Sequence, residues 1–301
     1  PAYLAYLDEQ FFFDLLVWYH LVWMGETVRT RNETVQRLLR KERVFNQNDR
    51  RELLGVIDQL LRTIVPRYRH LAASGQMELS VTPDKHPILP LLLDFQSARE
   101  AMPQAPLPQH TSYPGGRERA RDHLQRGIDV FERHFGFRPV GCWPSEGALS
   151  QETLHLLQDA EFQWTASGGG VLGNSRHASG GGAVCIHHPF RFDASNVTCF
   201  FRDDNLSDLI GFTYSGWNEE DATNNLLHHI HNIRAACGYA EHTIVPIILD
   251  GENCWEHYAA NGYPFLKNLY SKLIEDPDIR LTTFRDYLKT GPAPTRLNKL
   301  V

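Results

Sequence analysis

Residues 139–146 read Pro139-Val140-Gly141-Cys142-Trp143-Pro144-Ser145-Glu146, a short apolar run that stops at a proline and delivers a carboxylate. Gly136 and Pro144 bound the run, and it is too short for a helix, so it reads as a buried strand. The pattern recurs twice. Val197-Thr198-Cys199-Phe200-Phe201 leads into Arg202-Asp203-Asp204, and Ile244-Val245-Pro246-Ile247-Ile248-Leu249 leads into Asp250-Gly251-Glu252. Helical patterns separate these runs. Leu124, Ile128, Phe131 and Phe135 fall at helical spacing within 115–136, Ser150 can cap a helix that turns Leu154 and Leu157 inward, and another helix runs from Pro264 to about Ile274. Continuous apolar strands alternating with helices are the mark of buried parallel strands, so the expected fold is α/β, a barrel of strands with helices outside.

Upstream, helical periodicity dominates. Phe12, Leu15, Leu16, Tyr19 and Trp23 form one stripe, and Leu53, Ile57, Leu60, Leu61 and Ile64 form another, which predicts two packed helices. Asn46 or Asn48 can cap the second, and Pro66 kinks it or marks its approaching end before Gly75. Residues 76–81 read as a short strand, followed by the loop Asp84-Lys85-His86-Pro87. The expected organisation is a single catalytic barrel domain over 1–301, with a helical entry segment over 1–74 and the barrel with its site loops over 75–290. The Gly-rich stretch 168–182 lacks the spacing of a phosphate-cradling loop and reads as a flexible surface loop.

The composition of the 301 residues excludes several classes. With 42% hydrophobic and 22% charged residues and a net charge of -6, the chain is globular rather than disordered and has no overall positive field for nucleic acid or anionic lipid. No nucleic-acid or membrane partner is expected, because the greasiest stretch, 11–24, is interrupted by Asp14 and His20 and is too short to span a bilayer. The 5 cysteines are scattered without a C-x-x-C pair, which favours neither a zinc ribbon nor a disulfide framework and points to a reducing, cytoplasmic setting. His228, His229 and His231 read as a surface patch, so no metal site and no cofactor are expected. The chain opens at Pro1, which fits a processed N-terminus or a piece of a longer protein.

Glu146, Asp203, Asp250 and Glu252 each follow a strand, where barrels collect their chemistry, and each has an aromatic neighbour in Trp143, Phe201 or Trp255. Carboxylates beside flat rings suit sugar hydroxyls and sugar faces. Glycoside cleavage needs two carboxyl groups of opposite protonation, with their separation deciding retention or inversion.

Four ordered strings carry a more specific likeness: Gly75-Gln76-Met77-Glu78, Trp143-Pro144-Ser145-Glu146, Phe201-Arg202-Asp203-Asp204 with Ser207-Asp208, and Asp250-Gly251-Glu252-Asn253 with Trp255-Glu256. Together they resemble signature regions of glycoside hydrolase family 57, from about Phe12 to Leu288. The resemblance implies a (β/α)7-type barrel, incomplete at the N-terminus because the family's His-Gln-Pro region is absent, and a retaining hydrolase or transglycosylase of α-linked glucans that needs no metal for its chemistry. It implies Glu146 as nucleophile and Asp203 as general acid/base. Glu78, His86, Trp143, Asp204, Asp208, Asp250, Glu252 and Trp255 would then bind substrate. Pleating would turn Arg202 to the face opposite Asp203. The alternatives are a non-catalytic glucan-binding homologue and a metal-dependent polysaccharide deacetylase.

Overall fold

The computed structural model describes residues 6–110, 112–180, 185–193, 195–238 and 242–301. Four helices open the chain: α1 (Glu9–Val22), α2 (Glu26–Arg31), α3 (Glu33–Lys41) and α4 (Gln47–Ala73). Asn46 caps α4 in a reciprocal box with Asp49, and the helix runs through Pro66 to Ala73 rather than ending near the proline. Val17, Leu21, Val35, Leu38, Phe45 and Leu53 form the shared core of this segment.

The stripe expected to face inward on α1 does not. Phe12, Leu15, Leu16, Tyr19 and Trp23 are exposed, and Val17 and Leu21 are buried instead. Apolar residues occupy almost every face of this helix, so spacing alone has no preferred side to select. On α4 the stripe holds at Leu53 and, partly buried, at Ile57 and Leu60, while Leu61 and Ile64 are exposed.

The central layer follows α5 (Leu89–Leu93), α6 (Ala98–Ala101) and α7 (Gly116–Phe135). Strand β1 (Gly141–Cys142), helix α8 (Gln151–Asp159), β2 (Trp164–Ser167), α9 (Gly169–Ala178), β3 (Phe190–Phe192) and β4 (Thr198–Phe201) come next. They lead to α10 (Asp204–Asp208), α11 (Glu219–Ala236), α12 (Tyr263–Glu275), α13 (Phe284–Thr290) and β5 (Thr295–Leu297). The strands among the described residues form one mixed sheet in the order β1-β2-β4-β3-β5, in which β1, β2 and β4 are parallel and β3 is antiparallel to β4. The α/β class is as expected, and the hydrogen-bonded ladder among the described residues has five short strands. Residues 76–81 contribute a single bridge, Val81 to Cys142, and 244–249 runs extended beside the end of β4 without joining the ladder.

The two faces of the sheet have separate cores. Leu124, Ile128 and Phe131 of α7, Leu154 and Leu157 of α8, and Leu172 of α9 pack with Cys142, Cys199 and Phe201 on one face. Trp164, Ala166, Phe200, Ile244 and Tyr287 fill the other, with Trp143, Ile248 and Phe284 against them. Gly141 must lack a side chain, because a Cβ there would lie 1.9 Å from Cε2 of Trp164.

Two further expectations are corrected. Residues 169–178 of the Gly-rich stretch are helix, not loop, since burial of Leu172 and Ser175 beneath α9 outweighs the poor helix propensity of glycine; Gly181 and Gly182 lie outside the described residues. Cys185 and Cys237, 52 positions apart, are joined as a disulfide with Cα atoms 6.2 Å apart. Only the tertiary fold brings the connection after α9 against the end of α11, so sequence spacing gives no warning of the link.

Candidate functional site

The C-terminal ends of the parallel strands lie side by side and carry the candidate carboxylates on their turns. After β1, Trp143-Pro144-Ser145-Glu146-Gly147 makes a tight turn in which the Gly147 N–H donates to the Pro144 carbonyl at 2.8 Å. Glu146 sits at φ 56 and ψ 19, a left-handed conformation that is rare for a residue with a side chain. Gly147 follows at φ 65, and a Cβ there would meet Cη2 of Trp143 at 2.9 Å, so this position too demands glycine. Ser167 at the end of β2 anchors the turn by donating its hydroxyl to the Gly147 carbonyl at 2.6 Å. The outcome is a carboxylate held out of the packed strand, with its side chain 73% exposed.

His86 approaches Glu146 from the neighbouring loop. The Trp143 N–H donates to the Val81 carbonyl, and the chain beyond Val81 carries His86 to the same rim, with Nε2 3.8 Å from Oε1 of Glu146. That is an electrostatic contact, too long for a hydrogen bond. Trp143 turns its ring toward the Trp164–Phe200 core and Gly147.

Asp203, the expected acid/base, is placed quite differently. Its side chain is 7% exposed and both oxygens are occupied. Oδ1 accepts from the Leu206 N–H at 2.9 Å as the cap of α10, and Oδ2 pairs with Nε2 of His187 at 2.8 Å. Burial alone would raise its pKa, but the hydrogen bonds from His187 and from backbone N–H groups of α10 outweigh it and hold the carboxyl below its ordinary value. The pleat explains the orientation. Phe200 faces the Trp164 core and Phe201 the α7–α9 core, so Asp203, two residues on, follows Phe201 to the helix-covered face. Arg202 points the other way, as expected, clamping Asp204 at 2.9 Å and Asp208 at 2.7 Å while its Nε donates to the Ile248 carbonyl. Asp204 also accepts from the Gly169 N–H, which ties the turn after β4 to the start of α9.

Asp250 is exposed at the end of the extended segment 244–249. Ile244 and Ile248 pack on the Trp164 core, whereas Val245, Ile247 and Leu249 pack against Leu206, Ile210 and Phe265. Trp143, three residues before Glu146, and Ile248, two before Asp250, pack against the same cluster. Glu252 is exposed on the following turn, and Asn253 donates to Asp250 at 3.3 Å.

Two other sequence candidates are engaged in packing. Both oxygens of Glu78 are taken, Oε1 by the Trp164 indole at 2.7 Å and Oε2 by the Arg285 N–H at 2.9 Å, which ties β2 to α13. Trp255 stacks among Tyr258, Phe265 and Gly262 in the core beneath α12. His187 was missed by sequence reasoning. Its position in Cys185-Ile186-His187-His188 gives no hint of the Asp203 contact 16 residues on.

Comparison with family models matches Glycosyl hydrolase family 57 over residues 13–299. No curated protein matches the chain. Among solved structures, an α-amylase of Thermotoga maritima superposes with a TM-score of 0.63 at 13% identity, covering 95% of this chain and 61% of its own. A branching enzyme of Thermococcus kodakaraensis, solved in complex with glucose, gives 0.60 at 15% identity, with coverage of 97% and 61%. A 4-α-glucanotransferase of Thermococcus litoralis gives 0.57 at 17% identity, covering 83% of this chain and 34% of its own. The chain thus spans about three fifths of the length of the first two. These likenesses establish the fold.

Proposed function

Because this chain belongs to glycosyl hydrolase family 57, we propose that it cleaves or transfers α-linked glucosyl units by a retaining, double-displacement mechanism in which Glu146 is the nucleophile. The observation that carries the reading is the turn after β1. It lifts one carboxylate out of a buried strand, holds it in a left-handed backbone conformation and leaves its side chain 73% exposed, with His86 3.8 Å away. Strained geometry of this kind persists where the surroundings over-determine it, and a nucleophile needs that fixed aim.

The mechanism requires a second carboxyl group that protonates the leaving oxygen and then deprotonates the acceptor. The geometry favours Asp250 for this role over Asp203. Asp250 is exposed, while Asp203 is buried, hydrogen-bonded through both oxygens and held as the anion. In the first step Glu146 attacks the anomeric carbon, the glycosidic bond breaks and Asp250 gives its proton to the departing oxygen. In the second, water or a sugar hydroxyl loses its proton to Asp250 and displaces Glu146. Water yields hydrolysis and a sugar yields transfer. His86 and Glu252, both exposed, and Asp204 and Asp208 of α10, which Arg202 already holds, would hydrogen-bond the sugar hydroxyls.

The test is product analysis with amylose, pullulan and maltoheptaose, comparing the wild-type chain with E146Q. Reducing ends or chain-transfer products are expected from the wild type, with the α anomer released first. E146Q is expected to lose about a thousandfold or more while still binding the oligosaccharide. Binding without turnover in both proteins would overturn the enzymatic reading in favour of a glucan-binding role.

A further inference from the structure

The connection before β3 and the end of α11 bring together three groups that ligate transition metals. Sγ of Cys185, Sγ of Cys237 and a ring nitrogen of His187 all lie within 4.8 Å of one another. Nδ1 of His187 is 3.4 Å from Sγ of Cys185 and 4.0 Å from Sγ of Cys237. Its other nitrogen, Nε2, is 2.8 Å from Oδ2 of Asp203. With Nε2 donating to Oδ2 of Asp203, Nδ1 is the nitrogen that faces the sulfurs and can offer them its lone pair. Histidines that bind metals nearly always donate their second nitrogen to a carboxylate or carbonyl in this way. The trio also forms part of the wall of an open pocket of about 380 Å³, lined in addition by Arg176, Ile186, Ile233 and Ala236. Solvent can therefore reach a fourth ligand position.

We propose that the reduced protein binds a zinc ion through Sγ of Cys185, Sγ of Cys237 and Nδ1 of His187, with Asp203 as the residue that positions the imidazole and water as the fourth ligand. Two thiolates and an imidazole are the donor set zinc prefers, and a solvent-filled fourth position is the form its open sites take. The two Cα atoms, 6.2 Å apart, can carry a disulfide or two thiolates on one tetrahedral ion. The forms interconvert by a balanced exchange. A dithiol passes two electrons to the disulfide and is itself oxidised to a disulfide, leaving Cys185 and Cys237 as thiols. Zinc then displaces both thiol protons to solvent and takes the lone pair of Nδ1. The remaining cysteines offer no competing site, since Cys142, Cys199 and Cys254 are buried and burial pushes each thiol up, away from the thiolate. Because Oδ1 of Asp203 caps α10, the bound ion would steady the helix that carries Asp204 and Asp208.

The experiment reduces the protein with a phosphine, desalts it and titrates it with Zn²⁺ against a chromogenic chelator, then repeats the titration with Co²⁺. One equivalent of zinc is expected in the reduced wild type and none after reoxidation. The Co²⁺ form should show visible tetrahedral bands together with thiolate charge transfer. C185S, C237S and H187Q, each checked for folding by circular dichroism, should bind at least about a hundredfold more weakly. D203N should keep the stoichiometry and lose about 10–100-fold in affinity, the signature of positioning rather than ligation. Zinc uptake by the reduced wild type no greater than by C185S and H187Q, or a Co²⁺ spectrum without thiolate charge transfer, would overturn the proposal.

Discussion

The turns after β1 and β4 are written alike: each ends a buried apolar strand on a carboxylate beside an aromatic ring. They are built oppositely. Glu146 follows a proline-started turn into a left-handed conformation and stands clear of the protein, whereas Asp203 stays in the pleat and is turned beneath the surface. There it caps a helix and pairs with His187. A carboxylate at a strand's end is available for chemistry only when the backbone spends its own hydrogen bonds on the turn and leaves the side chain unclaimed.

The sharpest way to break this contrast is to compare D250N with D203N. D250N is expected to lower kcat/KM by about 10²–10⁴-fold with its melting temperature unchanged, as befits loss of a general acid/base. D203N should retain most of the activity per folded molecule and melt earlier. If D203N instead loses activity as deeply as E146Q while keeping its stability, the assignment of Asp250 is wrong and the buried aspartate is the proton donor. Steady-state kinetics on maltoheptaose beside thermal melts of the three variants separates the two cases.

A smaller effect probes the same aspartate as a structural element. D203A removes a helix cap and a charged hydrogen bond together, and should cost about 2–4 kcal/mol in denaturant unfolding. The pH dependence has a definite sign. The folded-state pKa lies below the unfolded value near 3.9, so the contribution is complete above that value and is lost as pH falls through the folded pKa. Wild type should therefore lose stability across this acid range more steeply than D203N, which has no proton to take up at that position. Parallel denaturation curves for the two proteins at acid pH would contradict the linkage.

What was legible in the sequence divides along the same line. Local signals were sound: Asn46 and Ser150 do cap their helices, and the apolar runs before Glu146 and Asp203 do lie in the sheet. The fold class followed from those runs, because a buried strand must be apolar on both faces. Features decided by distant partners were not legible. The inward face of α1 depends on what packs against it, and an all-round apolar helix hides that choice. The helix over 169–178 forms because the core beneath it accepts Leu172, despite its glycines. The burial of Asp203 depends on His187, and the Cys185–Cys237 link on a contact across 52 positions.

His86 supplies the finest test of whether the turn after β1 acts alone. Its ring lies 3.8 Å from Glu146, and both side chains are more than half exposed, at 54% and 73%. Solvent screens a contact of this kind, and exposed pairs are worth only about 0.2–1 kcal/mol. If the backbone of the turn is what aims Glu146, H86A should leave stability within that range and lower kcat/KM less than tenfold, mainly through KM where the imidazole meets a sugar hydroxyl. A loss in kcat approaching that of E146Q would mean that the imidazole, rather than the left-handed turn, holds the nucleophile in place. The strained conformation at residue 146 would then serve the packing of Trp143 against Gly147 and not the chemistry.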